Sequence, residues 1–119
     1  METAGERFLT ALRKQDWPEL QSCFAANVQF RALVPPGVRE GTDAASAAGY
    51  LSRWFGDADE LILLASDIRQ IEDRLSISYR FRVHEDQWYV VEQRAYCDVG
   101  EEGIERMDLL CSGFRPVGG

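Results

Sequence analysis

The chain has 119 residues, 45% of them apolar, and a formal charge of −7. That length suits one domain, residues 1–119, and six Phe, four Tyr and three Trp supply the bulk for one core, which excludes a disordered chain. The acidic balance excludes nucleic acid and anionic membrane surfaces as partners, since both call for clustered Lys and Arg.

The chain begins Met1-Glu2-Thr3-Ala4-Gly5-Glu6-Arg7, with no cationic start running into an apolar stretch, so it does not read as a secretory leader. The next residues are helical: Phe8, Leu9 and Leu12 recur on one side, with Glu6, Arg7, Arg13 and Lys14 on the other. Asp16 is an N-cap candidate, with Glu19 three residues on and Pro18 tolerated in the first turn; the short helix it opens carries Leu20, Cys23 and Phe24 on one face. Val28 to Val34 alternates like a strand, and Pro35-Pro36-Gly37 stops it.

A third helix is predicted from Thr42 or Asp43 as cap through Ala47, Tyr50, Leu51, Trp54 and Phe55, with Gly56 as a left-handed stop. From residue 60 the period changes to two. Leu61 to Ile71 is strand-like, and Leu75, Ile77, Tyr79, Phe81 and Val83 alternate with Ser76, Ser78, Arg80, Arg82 and His84. Glu85-Asp86-Gln87 turns into a strand over 88–99, and Gly100-Glu101-Glu102-Gly103 turns into another over 104–114. Helices followed by an antiparallel meander give the α+β class.

Cys23, Cys97 and Cys111 are odd in number and lack a C-x-x-C pair, which suits reduced thiols and a cytoplasmic protein. The longest apolar run, Leu61 to Ala65, is too short to span a bilayer. Neither metal nor organic cofactor is expected, because no ligand cluster and no phosphate-binding glycine loop occurs.

The helix order, Arg7-Phe8-Leu9-Thr10-Ala11-Leu12 with Asp16, Phe24-Ala25-Ala26-Asn27-Val28, Arg39-Glu40-Gly41 and the closing Gly103-Ile104-Glu105-Arg106-Met107-Asp108 together resemble the SnoaL-like branch of the nuclear transport factor 2-like superfamily. The resemblance covers nearly the whole chain. It implies a cone-shaped, curved antiparallel sheet packed against three N-terminal helices, with an apolar interior lined by one face of each long strand. The superfamily includes isomerases, cyclases, hydrolases and docking factors, so fold does not choose among them.

By that resemblance Phe8, Arg31 and Ala95 stand where ketosteroid isomerases carry a tyrosine and two aspartates, which disfavours their chemistry. An Asp-Arg-Asp water-activating set, as in epoxide hydrolases of this fold, could be built on paper from Arg94, Asp98, Arg106 and Asp108. Strand alternation places Glu92, Arg94, Tyr96 and Asp98 on one face and Val91, Ala95, Cys97 and Val99 on the other, so the charged set reads as an outer lattice of cross-strand ion pairs. His84, the only histidine, reads as a turn residue beside Glu85-Asp86, and Cys97 and Cys111 as core thiols able to face each other across strands.

The candidate ligand-binding residues are Phe8, Arg31, Tyr50, Trp54, Tyr79, Ala95, Cys97, Met107, Leu109 and Cys111. Arg31 either reaches the cavity, with Glu40 as its partner and a carboxylate or enolate as its ligand, or points outward while Phe30 and Ala32 face in. Two functions stand side by side. One is a cofactor-independent pocket protein, an isomerase-, cyclase- or hydrolase-like enzyme or a binder, taking a small hydrophobic, oxygenated molecule. The other is a non-catalytic docking module that uses its open sheet face. A homodimer through the outer faces is expected, because Arg80, Arg82, Glu92, Arg94 and Asp108 alternate with core residues there.

Overall fold

The computed structural model describes residues 2–35 and 37–117; Met1 of the leader reading and Pro36 of the strand stop lie outside them. In chain order the elements are α1 (Ala4–Arg13), α2 (Trp17–Ser22), β1 (Phe24–Val34), β2 (Gly37–Gly41), α3 (Ala44–Phe55), β3 (Glu60–Ile71), β4 (Arg74–Glu85), β5 (Gln87–Gly100), β6 (Gly103–Cys111) and β7 (Arg115–Pro116).

Each helix starts where a side chain satisfies its free amides. Thr3 and Glu6 form a capping box on α1, Asp16 accepts from the Glu19 N–H on α2, and Asp43 forms a capping box with Ser46 on α3. The α3 cap is therefore Asp43 rather than Thr42. Its stop differs from expectation: Gly56 keeps right-handed geometry (φ −69°), and its N–H closes one more turn onto the Ser52 carbonyl. The second helix is also shorter than its periodicity suggests, because Phe24 already pairs with Ile104 in the sheet.

The strands run β2-β1-β6-β5-β4-β3, with β7 added to β5. Every pair is antiparallel except β1–β6, which is parallel, so the expected antiparallel sheet is a mixed one. The meander β3 to β6 turns through Glu72, Asp86 and Gly103 at positive φ. The pairs make a curved sheet that folds over the helices as an open α+β cone.

One face of the sheet is dry. Phe30, Ala32, Val34, Leu75, Ile77, Tyr79, Phe81, Val83, Val91, Ala95, Cys97, Met107 and Leu109 are buried with Phe8, Leu12, Leu20, Leu51 and Phe55 of the helices in one core. Val99 departs from its expected inner face. It is 43% exposed, beside the register shift where β6 inserts one extra residue, Glu105, between the Asp98–Arg106 and Val99–Ile104 pairs. No helix is long and apolar enough to cross a membrane among the described residues.

Candidate functional site

Cross-strand pairing sets the interior in rows. One row runs Arg39–Ala32–Leu109–Ala95–Ile77 over β2, β1, β6, β5 and β4. The neighbouring row is Cys111–Gln93–Tyr79 on β6, β5 and β4. In that second row three polar groups sit in an apolar core and satisfy one another. The Tyr79 hydroxyl donates to Gln93 Oε1 at 2.6 Å, and Gln93 Nε2 donates to Cys111 Sγ at 3.4 Å. The Gly113 N–H gives the same sulfur a second contact at 3.4 Å.

Burial favours the neutral form of the Tyr79 phenol and of the Cys97 and Cys23 thiols. It holds the Tyr79 hydroxyl well above its ordinary value, and it pushes the Cys97 thiol up to about 12 and the Cys23 thiol to about 11. A neutral phenol, an amide and a thiol can orient a ligand by hydrogen bonds. Neither the phenol nor the amide is a base at neutral pH.

The rows surface at the open end of the cone. Val34, Pro35, Arg39, Trp54, Cys111, Gly113 and Phe114 enclose a cavity there of about 140 Å³. Its aromatic wall continues backwards: Trp54 stacks on Tyr50 at 6.0 Å, and Tyr50 stacks on Phe30 at 5.9 Å. Arg39 donates from Nη1 to the Val38 carbonyl at 3.2 Å and makes no ion pair among the described residues.

Of the residues expected at the site, Trp54 and Cys111 line this cavity. Tyr79 stands one hydrogen bond behind Cys111 through Gln93, and Tyr50 flanks Trp54 and donates to the Glu40 carbonyl at 3.2 Å. Phe8, Ala95, Cys97 and Met107 are fully buried and Leu109 nearly so, packed against neighbours, so the interior that the cone was expected to enclose is filled by its own side chains. Cys97 opposes Met107 and Cys111 opposes Gln93, so the two thiols do not face each other.

Arg31 lies on the outer face, exposed, between Glu40 and Asp108 in the ladder and opposite in direction to Phe30 and Ala32. The cation at the cone's mouth is Arg39. Sequence reading missed it because the short strand β2 was not assigned; Val38-Arg39-Glu40 after the glycine turn was the available signal. Gln93 was missed as well, although it stands midway between Val91 and Ala95 on their face.

The outer face carries the expected charged lattice. Arg80 pairs with Glu92 at 2.9 Å, Arg74 with Asp98 at 3.1 Å and Asp108 at 3.3 Å, and Arg106 with Asp108 at 3.1 Å. Arg94, Asp98, Arg106 and Asp108 are thus solvent-side and do not converge on the interior. Beside Arg31, Arg94 and Asp108 lies an open groove of about 560 Å³ whose apolar wall includes Leu33, Val38, Leu109 and Leu110. His84 does not line the mouth cavity; its Nδ1 is 2.7 Å from Asp59 Oδ1 and its ring is edge-on to Trp88.

No protein-family model matches the chain, and no curated protein matches it. Solved structures do. A candidate polyketide cyclase from Xanthomonas campestris pv. campestris superposes with a TM-score of 0.71 at 19% identity, over 90% of this chain and 86% of that one. A candidate ketosteroid isomerase from Kribbella flavida gives 0.71 at 13% identity, over 98% and 81%. A second candidate polyketide cyclase, from Pseudomonas putida, gives 0.68 at 15% identity, over 92% and 91%.

Proposed function

We propose, from the premise that this chain has the nuclear transport factor 2-like fold of the SnoaL-like kind, that its cone mouth binds a small, flat carboxylate or enolisable molecule. Arg39 carries the reading. It is a guanidinium on the inner face of a sheet edge, beside an indole, with its forked N–H groups directed to no carboxylate of the described chain. A ligand carboxylate would gain a charge-assisted, two-pronged contact there while its apolar body lies against Trp54. The space sets the size: an apolar cavity of roughly 150 Å³ takes a benzene-sized ring.

Among the described residues no carboxylate and no imidazole lines this cavity. Phe8 and Ala95 offer no acid in the interior, and Tyr79 is held neutral. The site therefore fits a binder of an oxygenated small molecule better than an isomerase, cyclase or hydrolase.

The test is a thermal-shift and fluorescence titration with benzoate and short-chain carboxylates. Arg39→Met should weaken benzoate binding by about tenfold or more, the worth of a hydrogen bond to a charged group, while Arg31→Met should leave it unchanged. Equal binding by both variants would sink the reading.

A second reading rests on a different observation. Val38, Leu33 and Leu110 lie side by side across β2, β1 and β6 on the outer face, and are 45%, 53% and 55% exposed. That apolar row, bordered by charges of both signs, supports a dimerisation or docking surface.

A further inference from the structure

We infer that Phe114 sets the depth of the mouth site, acting as a plug that a β-bulge turns inward, and so selects single-ring over larger ligands; the ligand part of this inference rests on the binding reading above. The chain after β6 does not simply end. Ser112 N–H donates to the Glu92 carbonyl at 2.9 Å, Arg115 and Pro116 pair with Val90 and Tyr89, and Val117 N–H donates to the Trp88 carbonyl at 3.0 Å. The C-terminal strap thus prolongs β6 along the half of β5 that β6 itself leaves unpaired.

The two pairings are out of step. Cys111 opposes Gln93 and Arg115 opposes Val90, four steps along one strand against three along the other. One extra residue is therefore inserted between them, and Gly113 takes the positive φ of 85° that such a bulge requires. The parity matters. Met107, Leu109 and Cys111 point inward, so uninterrupted alternation would send residue 113 in and residue 114 out. The bulge exchanges them.

Phe114 consequently packs on Phe55, with ring centroids 5.5 Å apart, and walls the mouth cavity beside Cys111. Behind Phe55 stands Phe81 at 5.7 Å, and behind Phe81 stands Tyr79 at 5.5 Å. The ring of Phe114 is the outermost member of a column leading to the buried polar row. The cavity's 140 Å³ falls below the usual range for ligand pockets of about 300–1,000 Å³. Phe114 is a large side chain in that wall carried by a strap of few hydrogen bonds, and removing it deepens the site towards the Gln93 amide.

The experiment uses Phe114→Ala and, should that variant fold poorly, Phe114→Leu, each checked by circular dichroism. The first readout needs no ligand: N-ethylmaleimide labelling of Cys111, located by mass spectrometry. Labelling should rise by about tenfold over wild type in the alanine variant, as its wall is opened to solvent. The second readout is affinity for benzoate and for 2-naphthoate. Naphthoate binding should improve by about tenfold in the variant, the usual worth of matched pocket space, with benzoate changed less. Unchanged Cys111 labelling in a folded variant overturns the plug. Increased labelling with neither carboxylate bound by either protein upholds the plug and overturns the binding reading. Benzoate bound by both proteins with no gain for naphthoate overturns Phe114 as the selecting residue.

Discussion

Tyr79 and Gln93 show how a buried polar pair specifies a position in an otherwise apolar core. Each is fully enclosed, and each supplies the group the other needs. Tyr79→Phe keeps the ring contacts with Phe8 and Phe81 but leaves the Gln93 carbonyl oxygen without its donor. An orphaned buried acceptor costs about 1–3 kcal/mol, so urea unfolding should show a loss of that order. Adding Gln93→Leu should recover part of it, because the unpaired group is then gone. If the single variant is as stable as wild type, the bond contributes nothing and the polar row is incidental. At this same scale the alternation of β1 was legible but left Arg31 open between two directions; the structure turns Phe30 and Ala32 in and Arg31 out. What one strand could not reveal was that Arg39 arrives opposite Ala32 from the next strand, on the inner side.

Single turns decide how whole elements meet. Gly103 begins β6 at φ 120°, a conformation a side chain resists, and a Cβ there would come within 2.5 Å of the Cys23 carbonyl oxygen. The close approach has a use: that carbonyl accepts the Ile104 N–H at 2.9 Å, tying the end of α2 to the start of β6. Gly103→Ala should therefore strain the β5–β6 turn and loosen the α2–β6 join together, costing about 1–3 kcal/mol for the backbone alone. A thermal melt unchanged from wild type would refute it. The glycines at 100 and 103 marked this turn in the sequence, and Asp16 and Asp43 marked two helix starts. The bulges at Asp98/Val99 and at Gly113 left no comparable mark, because each depends on which residue the partner strand presents.

Among the described residues, the outer face of β2, β1 and β6 carries an exposed apolar row. Leu33, Val38 and Leu110 form its apolar centre, and Arg31, Arg94 and Asp108 rim the groove above them. A face with an apolar centre and both signs of charge can complement a second copy of itself about a two-fold axis, and a stable pairing needs about 800 Å² from each partner. We expect a homodimer. Light scattering at micromolar concentration should give twice 13.5 kDa for the wild type, and Leu110→Asp should shift it to the monomer without changing the far-ultraviolet spectrum. A wild-type species at 13.5 kDa alone rules the dimer out.

The elements themselves were written in local order. Amphipathic spacing in α1 and α3 and the two-residue period of β3 to β6 are properties of consecutive residues, so class, meander and the sign of most faces follow from the chain alone. Three things came only with the tertiary structure: the parallel pairing of β1 with β6, the filling of the interior, and the replacement of Arg31 by Arg39 as the cation at the mouth. All three join residues far apart in the chain. Burial periodicity says which way a side chain points from its own strand, but not which strand lies alongside or how much room remains between opposite walls. A one-residue bulge reverses even the pointing, as it does for Phe114. Partner, volume and parity are decided by packing against distant segments.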